Sequence, residues 1–224
     1  MFAIQLAKQQ EHAEVATAEG YHVAPDSAHI KQFAERFPFA LTGAQGRALS
    51  AILADFQKDA PMSRLLEGDV GSGKTAVAAV AAYAVATSRP EHGRDWGNLQ
   101  VAYMAPTELL ARQQFCSFVE YFKHLPIQIG LITGSGCMKF PSKVNPTEPT
   151  TISRAQLLKW VANGEIPILI GTHALIQKSV MWKHLALVII DEQHRFGTRQ
   201  RRALAQKNSD TAEKKRMPHL LSMT

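Results

Sequence analysis

Eight consecutive residues, Gly68-Asp69-Val70-Gly71-Ser72-Gly73-Lys74-Thr75, satisfy the spacing G-x-x-x-x-G-K-[ST] completely. Glycines so placed let a backbone curl until successive N–H groups point at one phosphate. Gly68, Asp69, Gly71, Ser72 and Gly73 would form the cradle. Lys74 would neutralise the β- and γ-phosphates, and the Thr75 hydroxyl would coordinate Mg²⁺. Further on, the apolar run Leu185-Ala186-Leu187-Val188-Ile189-Ile190 delivers two carboxylates, Asp191 and Glu192. Asp191 at such a strand end would hold the Mg²⁺ shell, and Glu192 would polarise the attacking water. A plain glycine turn and a solvated acidic turn are the bland readings. Their presence on one chain in this order favours hydrolysis of a nucleoside triphosphate, with ATP and Mg²⁺ as the implied ligands.

That chemistry requires both groups at one edge of one sheet, and the rest of the chain is patterned to provide it. Residues 64–67 lead into the glycine-rich turn, and 75–87 read as a helix. Strands are expected at 99–104, 127–132, 166–170, 185–190 and 219–223, with helices at 108–124, 152–163 and, strongly basic, 198–207. Alternating strands and helices, with strands that are apolar throughout, predict an α/β fold: a mostly parallel sheet covered by helices on both faces. Residues 1–36 read as a helical, polar connecting segment broken near Pro25, outside the core. Residues 136–151 carry Pro141, Pro146 and Pro149 and read as a surface loop.

Composition narrows the setting. The chain has 224 residues, 46% hydrophobic and 20% charged, enough for a sizeable core. Its longest apolar run, 76–86, falls well short of the roughly 20 residues that span a bilayer. Charged residues Lys8, Glu11, Glu14 and Glu19 interrupt the N-terminal stretch, against a secretory signal. These features predict a cytoplasmic protein without a membrane partner. Cys116 and Cys137 have no metal-type spacing and read as reduced thiols. The formal charge of +6 suits a polyanionic partner such as nucleic acid, or a merely solvated surface.

The four residues Asp191-Glu192-Gln193-His194 resemble the box of superfamily 2 helicases. From residue 37 to 224 the chain resembles the first motor lobe of the RecG family of bacterial branched-DNA helicases, a RecA-like phosphate-loop fold. The residues 37–45, ending in Leu41-Thr42-Gly43-Ala44-Gln45, resemble that family's Q-type motif. The phosphate loop matches almost letter for letter, and Met104-Ala105-Pro106-Thr107-Glu108-Leu109-Leu110-Ala111 resembles motif Ia. Thr133-Gly134-Ser135 and Gly171-Thr172-His173-Ala174-Leu175 look like two further DNA-contacting loops. Asp191 through Gly197 looks like motif II with its tail, and Ser222-Met223-Thr224 like the start of motif III.

The resemblance implies an ATP-dependent DNA helicase of recombination and repair. Gln45 would read the adenine edge, and His194 would couple the nucleotide to the DNA-contacting loops. Pro106, Thr107, Gly134, Ser135, Thr172 and His173 would meet the DNA backbone. Strand-end turns with small hydroxyl residues and free N–H groups suit phosphates and carry no sequence information. Arg199, Arg201 and Arg202 extend the basic surface or form a solvated helix face.

Three departures qualify the match. The proline-rich stretch stands where the family runs into a basic helix. The wedge domain that splits branched DNA is not among these residues, although 1–36 resemble its exit helix. The second motor lobe is not among them either, so the 224 residues alone are expected to bind rather than to unwind. Rival readings are the motor lobe of a transcription-repair coupling translocase, a phosphate-loop kinase or signalling ATPase without DNA, and an inactive nucleotide-binding fragment.

Overall fold

The computed structural model describes residues 19–90, 98–192 and 216–224. Its elements in chain order are α1 (Ser27–Ala34), α2 (Gly43–Phe56), β1 (Ser63–Leu66), α3 (Lys74–Ala86), β2 (Gln100–Met104), α4 (Glu108–Phe122), β3 (Ile129–Ile132), β4 (Cys137–Phe140), β5 (Thr150–Ile152), α5 (Arg154–Ala162), β6 (Ile168–Gly171), β7 (Leu185–Ile190) and β8 (His219–Met223). A 3₁₀ turn, His173–Ile176, follows β6.

Local chemistry explains the boundaries. Thr42 and Gln45 form a capping box that starts α2, and the hydroxyls of Thr107 and Ser153 accept the orphan N–H groups opening α4 and α5. Helix α3 is apolar on every side, and Ala76 through Ala86 are all buried. A helix with no polar face belongs in the interior, and its many alanines let sheet and neighbouring helices approach closely.

The strands form one sheet in the order β1-β8-β7-β2-β6-β3-β4-β5, parallel from β1 through β3 and antiparallel for the β3–β4 and β4–β5 pairs. Alternating side chains divide it into two cores. Val101, Tyr103, Ile129, Leu131, Ile168, Ile170, Leu187 and Ile189 pack with α1, α2, α3 and α4. Ala102, Met104, Ile132, Leu169, Val188 and Ile190 pack on the other face with Leu157 and Val161 of α5 and with Trp182. The expected α/β fold, a mostly parallel sheet with helices on both faces, is what forms. Gln100 fastens three segments from inside it. Its amide donates to the carbonyls of Val161 and Ile166 at 2.9 and 3.0 Å and accepts from the N–H groups of Lys183 and His184 at 2.8 and 3.0 Å. All four of its hydrogen-bonding valences are used, as a fully buried amide requires.

Three expectations need correction. The stretch 136–151 is not all loop: β4 and β5 pair in register, Cys137 opposite Ile152, and the prolines sit at and beyond the strand ends. Proline excludes only the interior of a strand, so the prolines concealed a hairpin. Residues 19–36 are not outside the core either, since Tyr21, Val23, Ile30 and Phe33 are buried in it and Phe33 stacks on Tyr83 at 4.2 Å. The helix expected at 152–163 begins later, because Ile152 ends β5 and Ser153 is the cap. The basic helix expected at 198–207 lies outside the described residues, as do residues 1–18. No helix among the described residues is long and apolar enough to cross a membrane.

Candidate functional site

Six parallel strands end along one edge of the sheet. Register pairs Leu66 with Met223, Ile190 with Ser222, Met104 with Ile190, and Gly171 with both Met104 and Ile132. Every sequence-predicted group within the described residues follows one of these ends, or in the case of Gln45 lies against a loop that does. In parallel α/β sheets, ligands bind beyond the carboxyl ends of the strands.

The phosphate loop turns from β1 into α3. Gly71 and Gly73 adopt positive φ, 82° and 78°, which only glycine accepts without strain. Gly73 is the N-cap of α3 and contributes no side-chain cap, so no capping side chain covers the start of the helix, the end that suits an anion. Lys74 folds back over the loop and donates from Nζ to the carbonyl oxygens of Gly68 and, at 3.0 Å, Asp69. Thr224, directly after β8, closes the loop from beneath: its N–H donates to Leu66 and its carbonyl accepts from Gly68, both at 3.2 Å. Gln45 holds it from the side, donating from Nε2 to the Ser72 carbonyl at 2.7 Å while Oε1 accepts from the Thr42 N–H at 2.8 Å.

Strand β7 brings Asp191 and Glu192 to the same edge, with β8 between β7 and β1. Asp191 Oδ2 accepts from the Tyr103 hydroxyl at 3.1 Å and from Gln114 Nε2 at 3.3 Å. Its Oδ1 accepts from the Glu192 N–H at 3.1 Å. Burial raises the Asp191 carboxyl above its ordinary value, and the hydrogen bonds from Tyr103 and from the Glu192 N–H oppose the rise. Glu192 stands in the left-handed region with φ 51°, a conformation that costs energy in a non-glycine residue and clusters at functional sites. Burial, together with the neighbouring Asp191 carboxylate, pushes the Tyr103 phenol well above its usual range.

An oxygen-only pair, Thr75 and Asp191, fits a hard divalent cation, which takes few protein ligands when phosphates and water complete its shell. Among the described residues no cluster of three or more His, Cys, Asp or Glu offers a metal cage of another kind.

The turns expected from the sequence to meet DNA follow β2, β3 and β6, the neighbouring half of the edge. Pro106 and Thr107 precede α4, where the Thr107 hydroxyl accepts from the Leu110 N–H at 3.2 Å. Gly134 and Ser135 follow β3, but their polar groups are not free as the sequence suggested. Ser135 gives its N–H to Glu108 Oε1 at 3.2 Å and its hydroxyl to Oε2 at 2.5 Å. The Ser135 hydroxyl bond leads the interactions that hold the Glu108 carboxyl below its usual value. Thr172 and the exposed His173 open the 3₁₀ turn after β6. Gly171 is required there, since a Cβ would stand 2.5 Å from the Ile132 carbonyl oxygen.

Sequence reasoning missed four contributors. Tyr103 and Gln114 gave no signal, the first reading as strand core and the second as helix surface. Arg112 donates to the Ser135 hydroxyl at 3.1 Å, and Arg154 reaches the Thr133 carbonyl at 3.4 Å and Gln177 at 2.6 Å. Both arginines bring positive charge beneath the turns after β3 and β6, and only the folded registers show it. His194, Arg199, Arg201 and Arg202 lie outside the described residues.

Comparison with known proteins agrees with this geometry. The family model of the DEAD/DEAH box helicases matches residues 42–224. The chain is 40% identical over 224 residues to the ATP-dependent DNA helicase RecG of Aquifex aeolicus, covering 100% of this chain and 25% of that protein. It is 42% identical over 212 residues to RecG of Bacillus subtilis, covering 95% of this chain and 27% of the relative. The chain thus spans about a quarter of the length of these curated relatives. A solved structure of RecG bound to a three-way DNA junction superposes with a TM-score of 0.73 at 34% identity, covering 99% of this chain and 26% of that one. The match extends across the sheet, the phosphate loop and the strand-end turns, and the chain belongs to the DEAD/DEAH box helicase family, with RecG among its relatives.

Proposed function

We propose that the chain is the ATP-binding motor lobe of a DNA helicase or translocase that works on branched DNA in recombination and repair. The observation that carries the reading is the shared edge: the phosphate loop, the two acids and the three turns after β2, β3 and β6 all stand at the carboxyl ends of one parallel sheet. Nucleotide chemistry at one half of the edge and backbone contacts at the other are joined through single strands, notably β2.

In this reading the triphosphate lies in the cradle of Gly68, Asp69, Gly71, Ser72 and Gly73, and its oxygens replace the carbonyls that Lys74 now engages. Thr75 and Asp191 would hold Mg²⁺, which supplies positive charge to the β- and γ-phosphates. Glu192 orients the attacking water and accepts its proton. Gln45 still has one N–H and one lone pair beyond its bonds to Ser72 and Thr42. These match the acceptor and donor on an adenine edge, so Gln45 can hold the loop and read the base together. His194 would relay the state of the nucleotide to the DNA turns.

Pro106, Thr107, Gly134, Ser135, Thr172 and His173 meet the sugar–phosphate backbone, with Arg112 and Arg154 supplying charge behind them. The lobe works together with a wedge domain, and a second motor lobe completes the ATP cleft. The support for these partners is the relatives, of which this chain covers about a quarter.

Titration with a fluorescent ATP analogue tests the site. Lys74→Ala removes a charge-assisted contact worth roughly 1.5–3 kcal/mol, so affinity should fall at least about tenfold. Equal affinity in variant and wild type rules this loop out as the site. In a protein containing both lobes, Glu192→Gln should bind ATP and fail to hydrolyse it.

A further inference from the structure

We propose that Tyr103 is a positioning residue for the Mg²⁺ ligand Asp191, its phenol fixing which carboxylate oxygen is left for the cation. The proposal rests on the nucleotide-site reading and deepens it. Tyr103 is fully buried on β2, opposite Ile189 of β7, and its ring meets Phe118 edge-on at 5.4 Å. Packing on all sides fixes the ring, so the hydroxyl cannot swing away. A buried hydroxyl without a partner would be costly, and this one has Asp191.

The direction of its bond follows from proton counting. A phenol carries one proton, and Tyr103 gives it to Asp191 Oδ2 at 3.1 Å.

The same bond selects the carboxylate oxygen. Tyr103 and Gln114 both donate to Asp191 Oδ2, at 3.1 and 3.3 Å, whereas among the described residues Oδ1 receives only the N–H of the adjoining Glu192. Oδ1 is left as the oxygen for a cation, and single-oxygen ligation suits the strict octahedron of Mg²⁺. Residues that orient metal ligands in this way typically matter by 10- to 100-fold in metal affinity or activity.

The test measures the dissociation constant of a fluorescent ATP analogue with Mg²⁺ and with EDTA, together with the unfolding midpoint of the nucleotide-free chain. For Tyr103→Phe the strengthening of binding by Mg²⁺ should shrink about tenfold. Affinity in EDTA and the unfolding midpoint should stay at wild-type values. Added to Asp191→Asn, Tyr103→Phe should cause no further loss of Mg²⁺ dependence. Unchanged Mg²⁺ dependence overturns the role of Tyr103 while leaving the nucleotide site standing, and so does an equal loss with and without Mg²⁺. A wild-type chain that binds no nucleotide in either condition brings down the site and this role together.

Discussion

The side-chain amide of Gln45, at the start of α2, donates to the carbonyl of Ser72 in the phosphate loop at 2.7 Å. A residue 27 positions away in sequence is thereby part of the loop's own scaffold. Gln45→Ala would remove this bond and the capping bond to Thr42, each worth about 0.5–1.5 kcal/mol net. Affinity for ATP should fall roughly tenfold. Comparing ATP with GTP separates the two roles of the side chain. If Gln45 reads adenine, the variant loses its preference for ATP. A parallel loss for both nucleotides would confine Gln45 to holding the loop, and unchanged affinity for both would deny it either task.

What the sequence made legible was local. The phosphate loop could be read because eight adjacent residues carry the whole device. The run Leu185–Ile190 could be read because a doubly covered strand is apolar throughout. Non-local features left no such trace. Ile30 and Phe33 reach the core from a helix whose other positions are alanine or polar, so residues 19–36 looked like a connector. The β4–β5 hairpin was hidden by prolines that lie at its strand ends. Tyr103 resembled any aromatic in a buried strand until the register with β7 placed its hydroxyl against Asp191. The turn at Gly134 and Ser135 looked ready for phosphate because Glu108, far away in sequence, gave no sign of occupying it.

His219 sets an acid limit on stability. It is buried on β8, where Nδ1 accepts from the Met62 N–H at 2.9 Å and Nε2 donates to the Tyr21 carbonyl at 2.6 Å. A second proton would have to sit on Nδ1, pointing at another N–H. Burial accordingly holds the imidazole below its ordinary value of 6.5. The unfolded chain takes up a proton near pH 6.5 that the folded chain refuses. The contribution is complete above that pH and is lost as pH falls from there toward the folded value, by at most about 1.4 kcal/mol per pH unit. Denaturant titrations of wild type and His219→Gln between pH 7.5 and 5 check it. The variant should be less stable at pH 7.5 and show a shallower acid slope. Parallel slopes would assign the acid sensitivity to other groups.

Glu108 and Ser135 make a prediction about DNA that follows from the proposed function. The Glu108 carboxylate takes both the N–H and the hydroxyl of Ser135, the donors a backbone phosphate would use. Arg112 also donates to the Ser135 hydroxyl, at 3.1 Å, and would keep that side chain in place without Glu108. A phosphate entering this turn must therefore displace an internal anion of the same charge. Glu108→Gln retains an acceptor for the Ser135 N–H and removes the negative charge. Binding of single-stranded DNA should strengthen about threefold at low salt. The gain should shrink as salt rises, because it comes from charge that ions screen. Fluorescence anisotropy with a labelled oligonucleotide at several salt concentrations gives both quantities. Weaker binding by the variant would mean that Glu108 shapes the turn for DNA rather than competing with it. A gain that persisted unchanged at high salt would show that the effect is not electrostatic.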